Sequence, residues 1–306
     1  MRLSTESRAL GAAMITVTMW ASSFVAIRAL AGTFSPGSIT IGRLLVGIVV
    51  LVAVALPRSR PVISRSDLIC VLLFGVLWFG LYSVGLNAGE RQVDAGTAVM
   101  LVNLGPILIA LFAGLFLREG LPAQVMLGCF VAFLGTAVVA TSSSDGGSVA
   151  SSTQGVELVL GATVAYAAAA TFQKRALQRI PAAWVNVIGM LAACLVCLPF
   201  APGLVAELKT AGPSQWAWLV YLGVFPTAIG FTTWAYALAR ASAGRTAAVT
   251  YLMSPLTIGL SWLLLAELPT LLAIVGGAIC VAGVALARSK SLPRLPESGL
   301  RGVGER

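Results

Sequence analysis

Residues 95–140 read AGTAVMLVNLGPILIALFAGLFLREGLPAQVMLGCFVAFLGTAVVA, and this stretch decides the fold because the chain contains it twice. Its landmarks return at an offset of 148 residues, or 149 at the proline. The matched pairs are Ala95-Gly96 with Ala243-Gly244, Pro106 with Pro255, Glu119 with Glu267, Gly128 with Gly276, and Gly135 with Gly283. A period of about half the chain, in apolar sequence, predicts two related halves rather than a short-period solenoid.

The amino-acid composition is that of a protein built for lipid. Hydrophobic residues make up 58% of the 306 residues and charged residues only 10%, and the mean hydropathy is +0.94. Soluble domains carry about 25% charged residues. The net charge of +9 falls in short loops, without the basic stripe that a nucleic-acid-binding protein presents. We therefore predict the lipid bilayer as a partner and no nucleic acid.

The residue types present exclude several chemistries. The chain has no histidine, so imidazole metal ligands and His-based triads are excluded. Cys194-x-x-Cys197 has the spacing of a redox or zinc pair, but with no second pair nearby we interpret all five cysteines as buried small hydrophobes. There are no paired aspartates inside an apolar run and no phosphate-binding loop. We predict no metal site, no cofactor and no enzymatic activity.

Ten apolar stretches are long enough to cross a membrane, which needs about 20 residues. They are Leu10–Leu30, Pro36–Leu56, Leu68–Ala88, Ala95–Leu117, Pro122–Ala140, Val156–Gln173, Ala183–Phe200, Trp216–Leu238, Thr246–Ala266 and Leu271–Ala287. The first could be read as a signal peptide, but its apolar run exceeds the 7–15 residues usual for one, and it has an internal counterpart. The fold class predicted is an all-α integral membrane protein of ten transmembrane helices.

The distribution of lysine and arginine predicts the orientation. If the N-terminus is cytoplasmic, cytoplasmic segments hold 16 of these residues and outer loops hold two, Arg91 and Lys209. Both termini are therefore expected in the cytoplasm, in the plasma membrane of a bacterial-type cell. Because each half has five spans, an odd number, the second half enters from the opposite side and forms an inverted repeat.

This division predicts five regions along the chain. They are a cytoplasmic N-terminus (1–9), a first five-helix repeat (10–140), a flexible external linker (141–154), a second five-helix repeat (155–287) and a basic cytoplasmic tail (288–306). The linker is rich in Ser and Gly, and the tail in Arg, Pro and Gly.

The chain resembles the drug/metabolite transporter superfamily, in its ten-helix EamA-type branch. The likeness is carried by WASSFVAIR at residues 20–28, by Arg43, and by the two copies of the small-residue run, proline, glutamate and glycine-spaced last span. It covers the chain from the first to the tenth span. The resemblance implies export of amino acids, drugs or other metabolites, through a cavity lined by spans 1, 3, 4, 6, 8 and 9.

Polar and aromatic residues at mid-membrane depth on those spans are the candidate site. The predicted cavity-lining residues are Trp20, Ser23, Trp78, Tyr82, Asn103, Tyr166, Trp234, Tyr251 and Ser254, and the predicted helix kinks are Pro106, Pro226 and Pro255. Prolines that break helices at corresponding points of two halves indicate a transporter's binding region. The alternatives are that the aromatic residues only pack, that the prolines only shape the bundle, and that Asn103 bonds a neighbouring helix.

Charged residues inside the spans are rare. Arg43 lies about 10 Å from the outer end of span 2 and is the predicted vestibule charge. It could snorkel, contact an anionic solute or pair with a carboxylate such as Glu90. Glu119 and Glu267 end spans 4 and 9 at the membrane surface, and we interpret them as structural. No Asp or Glu lies at mid-depth in any span, so uncoupled export, or coupling at the interface, is favoured.

The function predicted is secondary transport by alternating access, exporting a small metabolite such as an amino acid, a similar amphipathic solute or a drug. A passive channel and an intramembrane enzyme are disfavoured alternatives, and an importer or exchanger of the same fold remains open. The glycines seven residues apart in the last span of each half indicate close helix packing, either within the chain or in a homodimer.

Overall fold

The computed structural model of the chain describes residues 4–30, 32–57, 60–89, 92–93, 100–142, 152–265 and 270–289. This part of the chain is helical and contains no β-strand. The α-helices are α1 Thr5–Leu30, α2 Pro36–Ala55, α3 Arg65–Gly75, α4 Ser83–Gly89, α5 Gly105–Phe116, α6 Ala123–Ser142, α7 Thr153–Ala176, α8 Ala182–Cys197, α9 Ala201–Thr210, α10 Pro213–Leu222, α11 Gly230–Arg240, α12 Ala243–Ala248, α13 Met253–Leu265 and α14 Leu271–Arg288. Between them lie two π-helices, Val76–Tyr82 and Gly223–Ile229, and two 3₁₀ turns, Leu198–Phe200 and Val249–Leu252.

The outer surface of the bundle is apolar. Seven helical runs in the described part of the chain are long and apolar enough to cross a membrane, and Met100–Phe116 is a shorter apolar helix. Large hydrophobic side chains face outward, including Val49, Leu195 and Phe116, which expose 69–70% of their surface. Such exposure would be unfavourable in water and is satisfied by lipid. The fold is therefore that of an all-helical, multi-pass membrane protein.

One helical run is longer than its predicted span. The prediction ended span 7 at Phe200, but the run continues from Ala182 to Thr210. Prolines usually end a helix, but Pro199 and Pro202 each lie in the first turn of a new helical segment. The N–H groups of a first turn make no intrahelical hydrogen bond, so a proline costs little there. The added helix α9 packs against α2, and Glu207 accepts a hydrogen bond from the Ser35 N–H at 3.1 Å.

The predicted spans 4 and 9 are both interrupted beside their prolines. Span 4 has a turn at residues 103–104, after which α5 begins with Pro106 in its first turn. Span 9 passes from α12 through a 3₁₀ turn into α13, whose first turn contains Pro255. A proline N–H is absent and its ring displaces the preceding turn, which explains why the helix restarts there.

The last helices of the two halves, α6 and α14, form a close seam. A Cβ added to Gly135 would lie 2.6 Å from the Cys280 nitrogen, and one added to Gly276 would lie 2.7 Å from the Gly135 carbonyl oxygen. Gly128 and Gly283 are equally crowded by the backbone of the facing helix. These glycines therefore pack within the chain, the first of the two alternatives that the sequence left open.

Parts of the predicted linker and tail lie outside the described residues, at 143–151 and 290–306, as do Glu90 and Glu267. On either side of the linker the chain is helical. Helix α6 reaches Ser142, and α7 begins at Thr153, where the Ser152 hydroxyl accepts a hydrogen bond from the Gly155 N–H at 3.0 Å. The serine is a standard N-cap residue, so the start of α7 is set locally.

Candidate functional site

Eight aromatic rings from different helices meet in the middle of the bundle. We name them the aromatic cluster: Trp20, Phe74, Trp78, Phe79, Tyr82, Tyr166, Phe231 and Trp234. Trp78 is central, with ring centroids 4.8 Å from Tyr166 and 5.3 Å from Phe231. Most contacts are edge-to-face or tilted, the arrangements that aromatic quadrupoles favour.

The two π-helices position much of this cluster. Val76–Tyr82 carries Trp78, Phe79 and Tyr82, and Gly223–Ile229 lies directly before Phe231. The first π-helix begins directly after Gly75, and the second begins at Gly223. These two glycines are 148 residues apart, the offset of the repeat. A π-helical turn is wider than an α-helical one and is common at functional sites. The two halves therefore carry the same local irregularity at corresponding places.

The Thr227 hydroxyl reinforces the second π-helix beside its proline. Pro226 has no N–H for the Leu222 carbonyl four residues earlier, and the Thr227 hydroxyl donates to that oxygen at 2.8 Å. Arg43 Nε then donates to the Thr227 Oγ1 at 2.8 Å. Thr227 is fully buried, and both of its hydroxyl bonds are made inside the protein.

Arg43, the predicted vestibule charge, is thus the outer member of a hydrogen-bond chain that ends at a helix carbonyl. Among the residues that the structure describes, no carboxylate oxygen lies within 4.0 Å of its guanidinium. The suggested partner Glu90 lies outside those residues. The contact that the structure gives Arg43, a hydrogen bond to Thr227, was not among the roles that the sequence suggested.

Trp20 closes the same irregular turn from α1. The Gly230 N–H bonds to the Phe225 and Thr227 carbonyls, and the Pro226 carbonyl accepts from Trp20 Nε1 at 3.2 Å. Two residues later in α1, the Ser22 and Tyr221 hydroxyls lie 2.7 Å apart. The tryptophan that begins the family-like motif is therefore held by a main-chain group of the second half.

A series of buried side-chain hydrogen bonds, which the sequence analysis did not identify, connects Trp234 of the cluster to the Phe231 carbonyl. Trp234 Nε1 donates to Gln173 Oε1 at 2.9 Å, Gln173 Nε2 donates to Asn186 Oδ1 at 3.2 Å, and Asn186 Nδ2 donates to the Phe231 carbonyl at 3.0 Å. All three side chains are fully buried. The available signal was two amides, Gln173 and Asn186, inside apolar segments, where an amide must find a partner.

Tyr166 and Tyr251 connect the cluster to the interrupted helices. The Tyr166 ring packs against Gly105, where an added Cβ would lie 2.6 Å from it, and its hydroxyl interacts with Thr250. Tyr251 is fully buried in a neighbouring hydrophobic group, and its hydroxyl donates to the Asn103 carbonyl at 2.7 Å. The two tyrosines thus link α7 and the 3₁₀ turn of span 9 to the break in span 4.

The predicted site residues divide into two groups. Five of the nine, Trp20, Trp78, Tyr82, Tyr166 and Trp234, meet in the aromatic cluster. The Ser23 hydroxyl bonds back to the Trp20 carbonyl of its own helix at 2.6 Å. Ser254 is half-buried in the first turn of α13, and Pro255 packs against Gly277 of the last helix, away from the cluster. Asn103 and Tyr251 form the contact just described.

The face of the bundle where α1 begins and α14 ends is closed by a charged contact between the halves. Glu119 Oε2 accepts from the Ala243 N–H at 2.7 Å, and Glu119 Oε1 lies 3.4 Å from Lys174 Nζ. The Lys174 ammonium also donates to the Leu238 and Ala241 carbonyls. Glu119 is structural here, as the sequence indicated, and it caps the helix that begins the small-residue run of the second copy.

An apolar helical bundle with broken helices and π-helices around a buried aromatic cluster is the architecture of a membrane transporter. The chain belongs to the EamA-like transporter family, whose model matches it twice, at residues 7–141 and 153–289. The predicted membership is confirmed and is consistent with the drug/metabolite transporter superfamily. The family is one of transporters rather than enzymes, so the substrate is a small molecule that crosses a membrane.

Several proteins of similar sequence are named as transporters. The chain is 35% identical to a probable terminal-alkyne amino-acid exporter of Streptantibioticus cattleyicolor, over 97% of this chain and 98% of that protein. It is 32% identical to the uncharacterized transporter YdfC of Bacillus subtilis, over 88% and 87%. It is 28% identical to a probable biotin transporter of Pseudomonas aeruginosa, over 89% and 94%. A crystal structure with 21% identity superposes with a TM-score of 0.78, covering 92% of this chain and 96% of that one, which shows the fold alone.

Proposed function

We propose that the chain exports a small amino acid, or a similar amphipathic solute, across the cytoplasmic membrane by alternating access. The observation that carries this proposal is the aromatic cluster, which contains rings from both halves. The first half contributes rings from α1, α3 and the first π-helix, and the second half contributes rings from α7 and α11. Because the rings come from both halves, a motion of one half against the other would change the contacts of a solute bound among them. The similarity to a probable amino-acid exporter supports the substrate class and the direction.

The rings suit a solute with an apolar part. Trp78, Tyr166, Phe231 and Trp234 expose at most 8% of their surface, whereas Trp20 and Tyr82 are half-buried. The solute would therefore enter beside Trp20 and Tyr82 and displace rings that now pack on one another. The described acidic residues, Glu6, Asp67, Glu119, Glu157 and Glu207, lie near helix ends, so export without a mid-membrane proton carrier is favoured.

The proposed topology is ten spans in two inverted repeats, with both termini in the cytoplasm. Sixteen cationic residues against two support the orientation. The two family matches, the corresponding π-helices and the paired helix breaks support the repeats. A homodimer stays a prediction, and it would use surfaces other than the glycine seam, because that seam is occupied within the chain.

Counterflow into proteoliposomes tests the proposal. Purified protein would be reconstituted with labelled amino acids, nucleosides and lipophilic cations, each assayed with and without a pH gradient. Accumulation of amino acids, independent of the gradient, is the expected result. Accumulation of only nucleosides or cations would overturn the substrate class, and strict dependence on the gradient would overturn uncoupled export.

Trp78→Ala tests the aromatic cluster as the site. Removing the central ring leaves a void where the solute is proposed to bind, so counterflow is expected to fall about tenfold or more. Trp216→Ala is the matched control, since Trp216 is 45% exposed and lies outside the cluster. Folded yield is checked by size-exclusion chromatography. Equal transport by the two well-folded variants would contradict the assignment.

A further inference from the structure

A cavity with a strongly basic lining lies on the face of the bundle where α1 begins and α14 ends. Its volume is about 300 Å³, and its charged lining residues are Asp67, Arg118, Arg175 and Arg179. They come from the start of α3, the end of α5 and the end of α7. Three positive charges against one negative leave the site with a net charge of +2. A pocket of this size accommodates a small anionic group.

The one carboxylate in the cavity is already engaged. Asp67 is buried, accepts from the Ser64 hydroxyl at 2.7 Å, and lies 3.6 Å from Arg179 Nη1. Among the described residues, no carboxylate lies within 4.0 Å of Arg118 or Arg175. Two exposed guanidinium groups therefore border the cavity without a carboxylate partner among the described residues, and guanidinium binds phosphate oxygens well.

Arg118 is held in a conformation that its residue type disfavours. Its φ is +55°, whereas the αL position after a helix is usually a glycine. The Glu119 N–H bonds to the Ala113 carbonyl at 3.3 Å, which completes this helix end. A non-glycine residue there costs about 1–2 kcal/mol. Strain of this kind accumulates at functional positions, and here it accompanies an arginine that lines the cavity.

The cavity borders the lipid-facing surface. Phe116 lines it and exposes 70% of its surface, and the adjacent Leu115 exposes 66%. A water-soluble anion would gain nothing from such a wall, whereas the acyl chains of a lipid would pack on it. Basic pockets between transmembrane helices are known to bind anionic headgroups. We propose that this cavity binds the phosphate of an anionic glycerophospholipid, with its acyl chains lying along Phe116.

Native mass spectrometry of the full chain in detergent tests this inference. The protein would be titrated with phosphatidylglycerol and with phosphatidylcholine carrying the same acyl chains. We expect tighter retention of phosphatidylglycerol, lost about fivefold for each arginine in Arg118→Gln and Arg175→Gln. Arg60→Gln is the control, because Arg60 is exposed and does not line the cavity. Equal retention of both lipids, or an equal loss in the control, would overturn the proposal.

Two further variants complete the test. One distinguishes binding of a lipid from binding of a soluble anion, and the other distinguishes a loss of binding from a loss of folding. Phe116→Gln is expected to weaken phosphatidylglycerol binding while leaving competition by glycerol phosphate unchanged. If glycerol phosphate alone binds as tightly as the lipid, the lipid assignment is wrong. Arg118→Gly removes the guanidinium and relaxes the backbone, so it is expected to lose lipid affinity without losing thermal stability. An unchanged affinity in this variant would contradict a role for Arg118.

Discussion

Thr227 strengthens the second π-helix beside its proline. Pro226 has no N–H for the Leu222 carbonyl four residues earlier; the π-helical pattern pairs carbonyls with the N–H five residues on, and the Thr227 hydroxyl gives the Leu222 oxygen a further donor. The same hydroxyl accepts from Arg43, whose charge would otherwise be costly in an apolar segment. A single small side chain thus satisfies two groups that the sequence presents separately.

Thr227→Val keeps the shape of this side chain and removes both hydrogen bonds. We expect it to lower the unfolding free energy by about 1–3 kcal/mol, since Arg43 Nε loses its acceptor and the Leu222 carbonyl loses one of its donors. Thr232→Val is the control, because the Thr232 hydroxyl donates to the Ala228 carbonyl one turn earlier in the same helical run. Thermal unfolding in detergent measures both, and Thr227→Ser should restore most of the stability. Equal melting temperatures for the two valine variants would contradict this account.

At the scale of the element, the sequence predicted the apolar segments better than their irregular parts. Composition and the proline pair located spans 4 and 9, both of which proved to be interrupted. The two π-helices could not be read from the sequence, because an extra residue in a turn leaves the apolar pattern almost unchanged. The continuation of span 7 from Ala201 to Thr210 was assigned to an outer loop, whereas Pro199 and Pro202 lie in the first turns of new helical segments there.

The same scale explains which site residues were found. Depth along a span identified five rings that do meet, because rings at one level from neighbouring helices converge. Depth alone does not give the rotation of a helix about its axis, so it also selected Ser23, which bonds its own helix, and Ser254. The amides Gln173 and Asn186 were passed over because they lie near span ends, although they join three helices.

The buried amide chain across α7, α8 and α11 predicts strong coupling between its members. Asn186→Leu removes the amide acceptor of Gln173 Nε2 and the side-chain donor to the Phe231 carbonyl, and we expect a loss of about 1–3 kcal/mol. Combining it with Gln173→Leu should cost less than the sum of the single changes, because the mutual amide bond is counted only once. Melting temperatures of the two single variants and the double variant complete the cycle. Strict additivity would show that the two amides act independently.

At the scale of the whole molecule, Glu119 joins the first half to the second. Its carboxylate caps α12 and faces Lys174 of α7, so this contact must break if the bundle opens on the face of the termini. The family, the membrane architecture and the transporter class were all predicted from the sequence, because duplication, composition and motif agree over the entire chain. The contact itself could not be, since it joins residues 124 positions apart.

Glu119→Ala is expected to accelerate amide exchange in α12, because the Ala243 N–H loses its acceptor. Glu119→Gln retains an oxygen for that bond but loses the charge, so its effect should be intermediate. Hydrogen exchange read by mass spectrometry measures both variants, with α2 as an internal reference that should not change. If α12 exchanges at the wild-type rate in Glu119→Ala, the cap does not hold this part of the bundle.

The glycine seam between α6 and α14 bears on whether the two halves must belong to one polypeptide. These two helices belong to different halves and touch backbone to backbone at four glycines. Because the seam contacts join residues of α6 and α14 themselves, they do not require an unbroken chain between Ser142 and Ser152, and a continuous chain only raises the effective concentration of one half near the other. We therefore expect that two polypeptides, divided within that link and expressed together, assemble through the seam.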